Sequence, residues 1–241
     1  SIHSASTPTR ADNTLFVGIG DELHALAPDT GIQKWAVTTG DGVIYGAPTV
    51  VGDIVVVQNE QIHGIHHETE AIEWSVETNG GSQSVPAVMN ERVYVTDRTR
   101  LHAIDATNGS KMWTTDLDCK LSTSPVVSDT TVFVGDEDGT LTAIDPNLGK
   151  TNWSVDIGTG IAASPAVADG TVYIGTAGVW GGKNNMYAVN AADGTIEWAF
   201  GNTDEPIRSA PVVADGTVLT GYNGQLFALA ADTGEKRWSV R

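Results

Sequence analysis

Residues 124–156 run Ser124-Pro125-Val126-Val127, Ser128-Asp129-Thr130, Thr131-Val132-Phe133-Val134-Gly135, Asp136-Glu137-Asp138-Gly139, Thr140-Leu141-Thr142-Ala143-Ile144-Asp145, Pro146-Asn147-Leu148-Gly149 and Lys150-Thr151-Asn152-Trp153-Ser154-Val155, and close on Asp156. The first, third, fifth and seventh groups are short runs rich in β-branched and apolar residues, which favour strands. The groups between them are Asp, Asn, Ser and Gly, which accept turn geometry. The stretch therefore predicts four short antiparallel strands joined by tight turns.

The same unit recurs along the chain. Trp falls at positions 35, 74, 113, 153, 198 and 238, at spacings of 39, 39, 40, 45 and 40. A Gly stands four residues before five of them, as Gly31, Gly109, Gly149, Gly194 and Gly234; the second copy has Glu70 there. A Pro opens each copy, at 8, 48, 86, 125, 165 and 211. The copies span approximately residues 4–39, 44–78, 82–117, 121–156, 161–200 and 207–241, within a single domain 1–241. One four-stranded sheet cannot bury both of its faces, but sheets stacked radially can. The reading is all-β: a β-propeller of six four-stranded antiparallel blades, or six blades of a larger eight-bladed ring. Each repeat Trp is expected to wedge between neighbouring blades. The Gly before it is expected at positive φ, so Glu70 is either strained there or sits in a different turn.

Composition limits the partners. The net charge is −17, with 13 basic and 30 acidic residues, so nucleic acid and anionic lipid are disfavoured. No apolar run reaches the length of a membrane span, so direct membrane insertion is not expected. The Lys-poor, Asp-rich composition resembles that of proteins from salt-adapted organisms such as halophilic archaea, where high salt screens self-repulsion. Cys119 is the one cysteine, which rules out an internal disulfide. The chain opens Ser1-Ile2-His3 with no initiator Met and no signal peptide, which points to processing or trimming.

The third and fourth strands carry a family resemblance. Ala27-Pro28-Asp29-Thr30-Gly31-Ile32-Gln33-Lys34-Trp35, Asp105-Ala106-Thr107-Asn108-Gly109-Ser110-Lys111-Met112-Trp113 and Ala230-Ala231-Asp232-Thr233-Gly234-Glu235-Lys236-Arg237-Trp238 are similar to the tryptophan-docking repeat of pyrroloquinoline quinone (PQQ)-type propellers. The resemblance covers essentially residues 4–241. WD40 repeats end in Trp-Asp; here Ala, Ser or Thr follows each repeat Trp. The family includes quinone-dependent dehydrogenases, a bacterial outer-membrane assembly lipoprotein and sensor regions of kinases. It implies an extracellular or cell-surface location.

The resemblance also states what a dehydrogenase of this family needs. Such enzymes hold PQQ with calcium or a lanthanide, use an acidic base, and often carry two adjacent cysteines. The lone Cys119 excludes the cysteine pair, and no motif carries the other roles onto this chain. No catalytic residue, cofactor-binding residue or metal ligand is assigned. His24, His63 and His102 share one repeat position with Thr142, Tyr187 and Phe227, which marks it as a packing position. His66 and His67 are local additions, and Asp136-Glu137-Asp138-Gly139 lacks the spaced ligands of a calcium loop.

One copy departs from the period. Residues 176–185 of the fifth copy, with Trp180 among glycines, lengthen the connection between its second and third strands. In a propeller that loop shares a face with the blade-to-blade connections. Trp180, Tyr45, Gln83 and Arg208 are the candidates for contact with a partner protein. The expected function is a non-catalytic scaffold or interaction module that binds another protein. The alternatives are a quinone- or metal-dependent dehydrogenase and a small-ligand sensor domain.

Overall fold

The computed structural model describes residues 5–40, 42–80, 84–121, 123–128, 130–177 and 184–241, with Asn202 described by its backbone alone. Among these residues, 24 strands form six sheets of four. The sheets span residues 9–38, 49–77, 87–116, 126–156, 166–203 and 212–240, and we number them one to six. Within each sheet the strands follow chain order and every pair is antiparallel. Six such sheets, each cut from contiguous sequence, are consistent with a six-bladed propeller arrangement. By internal contacts the chain forms two compact units, Ser1–Asp116 with sheets one to three and Leu117–Arg241 with sheets four to six.

The core of each unit lies between consecutive sheets. In the first unit, Phe16, Leu23 and Ala25 of sheet one pack with Val55, Val57 and Ile65 of sheet two. Val56, Ile62 and Trp74 of sheet two pack in turn with Val93, Val95 and Ile104 of sheet three. The second unit repeats the scheme: Tyr173, Met186 and Trp198 of sheet five meet Val218 and Leu229 of sheet six. Alternating side chains thus serve opposite faces of one sheet, as the period of two requires.

The repeat Trp organises this contact in three ways. Its indole Nε1 donates to a backbone carbonyl of the following sheet: Trp35 to His67 at 3.0 Å, Trp74 to Ala106 at 2.9 Å, Trp153 to Ala191 at 3.1 Å and Trp198 to Ala231 at 2.9 Å. Its ring tilts against a second-strand aromatic of its own sheet, with centroids 5.8–5.9 Å apart in the pairs Phe16–Trp35, Tyr94–Trp113, Phe133–Trp153 and Tyr173–Trp198. Opposite it on the third strand stands a small residue, Ala25, Gly64, Ala103, Ala143, Ala188 or Ala228, and the register shifts by one just beyond that residue in all six sheets. A bulge bends the outer strand and re-aims its side chains. Here it recurs beside the one side chain that must reach the next sheet.

The turn before each Trp explains the repeated Gly. Gly31, Gly109, Gly149, Gly194 and Gly234 all have φ between +67° and +78°. Glu70 occupies the same turn with φ +62°, so of the two expectations the strained one holds. Space adds to conformation: a Cβ on Gly109 would lie 2.7 Å from the ring and Cβ of Trp74.

Two stability predictions follow from these contacts. Trp74 is 7% exposed and hydrogen-bonded, so Trp74→Ala should cost about 3–5 kcal/mol. Trp238 is 47% exposed, and Trp238→Ala should cost less than about 1 kcal/mol. Urea denaturation of both variants tests the contrast; equal losses would contradict it. Left-handed backbone costs an ordinary residue about 1–2 kcal/mol, partly offset by the extra freedom of Gly in the unfolded chain. Glu70→Gly should therefore stabilise by about 0.5–1 kcal/mol, while Gly109→Ala should destabilise by more than that. A destabilised Glu70→Gly variant would show that Glu70 makes a contact worth more than its strain.

Candidate functional site

The loops joining one sheet to the next and the hairpins between second and third strands lie at one end of the sheets, and backbone hydrogen bonds stitch them together. The Ile44 N–H donates to the Gly20 carbonyl, Ile161 to Asp136, Ala177 to Gly160 and Ile207 to Thr176. The connector isoleucines Ile44, Ile161 and Ile207 are fully buried. Each lies over a second-strand Gly where a Cβ would come within 2.5–2.8 Å of it or its carbonyl: Gly18, Gly135 and Gly175. Sheets two and three replace that Gly with Gln58 and Thr96, which are buried and joined by a hydrogen bond from Gln58 Nε2 to the Thr96 carbonyl. Within each unit the connectors are therefore tied down, and their exposed side chains stand at fixed places.

Acidic turn residues do much of the tying. Asp97 Oδ1 accepts the N–H groups of Thr99 and Arg100, and Oδ2 accepts the Arg100 guanidinium at 2.7 Å and the N–H of Asn79 in the preceding connector. His102 Nε2 also reaches Asp97 Oδ2, at 2.9 Å, and His102 Nδ1 lies 3.0 Å from Thr114 Oγ1. Both Asp97 and His102 are fully buried. Burial alone would raise the Asp97 carboxyl, but Arg100, His102 and the two backbone N–H groups outweigh it and hold it well below the usual carboxylate range. Burial lowers His102, against the opposing pull of Asp97. The pair is thus an ionised carboxylate and a neutral imidazole that donates from Nε2 and accepts the Thr114 hydroxyl proton at Nδ1.

Hydroxyl, imidazole and carboxylate in a row are also the parts of a nucleophilic triad. The repeat argues for a structural role instead. Sheet two has Ser75, His63 and Asn59 in the same row, with Ser75 at 2.8 Å and the amide of Asn59 at 3.3 Å. An amide cannot stabilise an imidazolium as a carboxylate does. Sheet four needs no imidazole at all, since Thr142 pairs directly with Ser154 at 3.2 Å. The His position is a cross-strand packing position, buried in sheets two, three, four and six and partly buried in sheets one and five, as its tolerance of Thr, Tyr and Phe indicates.

The donor set does not fit a quinone–calcium centre. Asp136 Oδ1 accepts three N–H groups, from Asp138, Gly139 and Thr140, which makes the Asp-Glu-Asp-Gly stretch a self-satisfied turn. Asp97 is committed as described. Among the described residues no three His, Cys, Asp or Glu side chains converge to hold a metal. Cys119 is pushed up to about 11 by its hydrogen bond to Asp138, by burial and by the surrounding acids, so it is a protonated thiol at neutral pH. A groove of about 760 Å³ lies between sheets four and five beside Trp153, lined by residues including Thr131, Asn152 and Asp169. It is not at the connection end.

Of the four candidate contact residues, Tyr45 and Arg208 lie in connectors and are exposed, Tyr45 at 48%. Tyr45 belongs to the first unit and Arg208 to the second. Trp180 and Gln83 lie outside the described residues. The fifth-sheet insertion does fall between its second strand, Thr171–Gly175, and its third, Asn184–Asn190. The reading from sequence passed over the carbonyl that receives each indole and the second-strand aromatics. Phe16, Tyr94 and Phe133 precede their Trp by 19 or 20 residues, a spacing the sequence carries in three of the six copies.

The buried imidazole makes a pH prediction. An unfolded His titrates near pH 6.5, and His102 titrates lower in the fold. The unfolded chain then binds the extra proton first, so stability falls as pH drops below about 6.5. His102→Thr, the residue found in sheet four, should flatten that decline between pH 7.5 and 5.5 in urea denaturation. Asp97 acts in a different window, since a depressed carboxyl loses its contribution only below about pH 4. Identical slopes in wild type and variant would remove His102 from the account.

Comparison with known proteins agrees with this architecture. The family model described as outer membrane protein assembly factor BamB matches residues 2–85, 58–157 and 137–241. A search of curated protein sequences gives no significant match. Among solved structures, BamB from Moraxella catarrhalis aligns with a TM-score of 0.82 at 17% identity, covering 99% of this chain and 78% of that one. The computationally designed Ika8 protein aligns at 0.81 and 18% identity, covering 98% and 74%. A europium-containing methanol dehydrogenase aligns at 0.86 and 14% identity, covering 98% and 68%. At these identities the structures show a shared fold and nothing of activity. The family match is different in kind, because its three overlapping segments span the repeats from first to last, and the chain belongs to the BamB-type family of PQQ-like repeat propellers.

Proposed function

We propose that this chain is a non-catalytic interaction module that binds another protein through the connectors between its sheets. The observation that carries the reading is the match of all six repeats to a family named for an assembly role rather than for a reaction. Two features of the site support it. The buried carboxylates that a metal or quinone centre would need are spent on holding turns. Backbone hydrogen bonds from Ile44 to Gly20 and from Ile207 to Thr176 fix the connectors that carry Tyr45 and Arg208, so these side chains are presented without the entropy cost of ordering a loose loop. Trp180 and Gln83, the other two candidates from sequence, lie outside the described residues. We further propose that the module works outside the cell or at its surface, in keeping with the family's description and with an acidic surface suited to high salt.

The test uses thermal unfolding in molar KCl, with and without PQQ plus calcium. A ligand that binds only the folded state at a hundredfold excess over its Kd stabilises it by about 2.7 kcal/mol. The module reading expects no shift of the midpoint, and a saturable rise would restore the dehydrogenase reading. As a positive arm, a photo-cross-linking residue is placed at position 45, 208 or 169 in turn. Positions 45 and 208 should each capture a protein, while position 169, in the groove away from the connectors, should not. Indifference to position would sink the surface assignment.

A further inference from the structure

The groove of about 760 Å³ between sheets four and five lies wholly within the second unit. It has no part in the function proposed above. Three departures from the repeat open it. Asn152 is the extra residue of the outer-strand bulge, since Ala143 pairs with Trp153 and Ile144 with Thr151. The other copies place the longer side chains Lys34, Glu73, Met112, Glu197 and Arg237 there. Three of these lie over a second-strand Thr: Lys34 Nζ donates to Thr14 Oγ1 at 2.7 Å, Arg237 Nη1 donates to Thr217 Oγ1 at 2.6 Å, and Glu197 Oε2 accepts the Thr171 hydroxyl at 3.2 Å. The shorter Asn152 leaves Thr131 in the groove wall. Sheet five presents Ala192 where the equivalent turn residues are Asp29, Glu68, Thr107, Asn147 and Asp232. Lastly, Phe133 lacks the hydroxyl by which Tyr173, its equivalent in sheet five, reaches the Ala231 carbonyl at 3.3 Å. The Ala231 carbonyl thus accepts from both Tyr173 and Trp198, whereas among the described residues the Ala191 carbonyl accepts from Trp153 alone. A carbonyl has two lone pairs, so Ala191 keeps one for a ligand.

The lining sets the chemistry of that ligand. Val127, Val167 and Ala168 supply aliphatic surface. The Asn152 amide and the hydroxyls of Thr130 and Thr131 both donate and accept, and the Asp169 carboxylate accepts only. Among the described residues no Lys, Arg or His lines the groove, so an anion finds no counter-charge. Trp153 offers an edge rather than a face. Gly194 lies under one side of its ring, where a Cβ would come 2.8 Å from it, and Phe133 tilts against it with centroids 5.8 Å apart. A flat aromatic or a quaternary cation would need an open face on which to stack. A small aliphatic ring bearing hydroxyls meets each feature. Its hydroxyls donate to the carbonyl and the carboxylate and exchange bonds with Asn and Thr, while its C–H surface covers Val and Ala. The volume lies within the range of about 300–1,000 Å³ usual for small-molecule clefts.

We propose that the groove between sheets four and five binds a neutral mono- or disaccharide, held by Asn152, Asp169, the Thr130 and Thr131 hydroxyls and the Ala191 carbonyl. The site is built from hairpins and turns at the end of the sheets opposite the connectors. Its occupation is therefore independent of protein capture at positions 45 and 208.

The experiment is saturation-transfer NMR on the purified chain with a mixed panel of neutral mono- and disaccharides, followed by calorimetric titration of each sugar that responds. At least one sugar should saturate the chain with the same affinity in dilute and in molar KCl. A cation held through Asp169 would instead lose affinity in molar KCl, where charge is screened within about 3 Å. Asn152→Arg lays the residue of sheet six over Thr131 and should abolish binding. Phe133→Tyr occupies the second lone pair of Ala191 and should weaken binding about two- to tenfold, the effect of one hydrogen bond. Glu197→Asn, at the same repeat position one sheet on, should leave binding unchanged. Urea midpoints show which variants are folded. Phe133→Tyr carries the residue of sheets three and five, and it keeps the site testable if Asn152→Arg does not fold. Failure of every sugar to bind overturns the proposal. So does binding of putrescine, titrated in parallel, without that of any sugar. Sugar binding that survives both Asn152→Arg and Phe133→Tyr unchanged overturns the groove as its site.

Discussion

One hydrogen bond, repeated, holds the scheme together: the indole N–H of one sheet given to the backbone carbonyl of the next. A buried indole that lacked an acceptor would pay the desolvation cost of its N–H, about 1–3 kcal/mol. The following sheet must therefore present a free carbonyl at one place, and that place lies in a turn. Several other features serve the same contact. A left-handed residue shapes the turn, Gly removes the Cβ that would strike the ring, and a small third-strand residue lets the ring lie flat. A bulge in the outer strand aims it. Packing between sheets then completes itself through alternating Val, Ile and Leu, which fit a pleated, buried surface without specific geometry.

The contact also accounts for where the repeat tolerates change. Glu70 shows that the left-handed turn survives with an ordinary side chain, because the indole–carbonyl bond of Trp35 forms there as well. At the connection end, three sheets use a second-strand Gly under a buried isoleucine, and two use a buried polar pair instead. Both solutions close the same loop. The hydroxyl–imidazole–carboxylate row of sheet three belongs with these local solutions, since sheets two and four satisfy the same cross-strand position with an amide partner or with two hydroxyls. Chemistry that looks catalytic in one copy becomes structural once the copies are compared.

Most of the fold was legible in the sequence because its two markers, Gly and Trp, are backbone and packing requirements that admit few alternatives. The fourth copy was divided into strands within two residues of their observed bounds, Val126–Val127, Val132–Gly135, Thr140–Ile144 and Thr151–Asp156. The acceptor carbonyls were not legible, because a carbonyl belongs to every residue and leaves no trace in side-chain identity. Nor was the Asp97–His102 pair, whose partners are five residues apart across a hairpin and differ in every copy. The candidate surface was legible only in part. Tyr45 and Arg208 stand exposed in connectors, but exposure is a property of an end of the sheet and does not name what that end meets.

The uneven burial of the repeat Trp residues gives the molecule an optical property. An indole in water emits at longer wavelength than one held in a dry interface, because water reorients around its excited state. Trp74 and Trp198 sit in dry interfaces and Trp238 does not. The long-wavelength edge of the intrinsic emission therefore weights the one described docking indole that faces solvent. The chain carries its own spectroscopic label at its sixth sheet, and anything that covers that sheet writes itself into the colour of the protein's fluorescence.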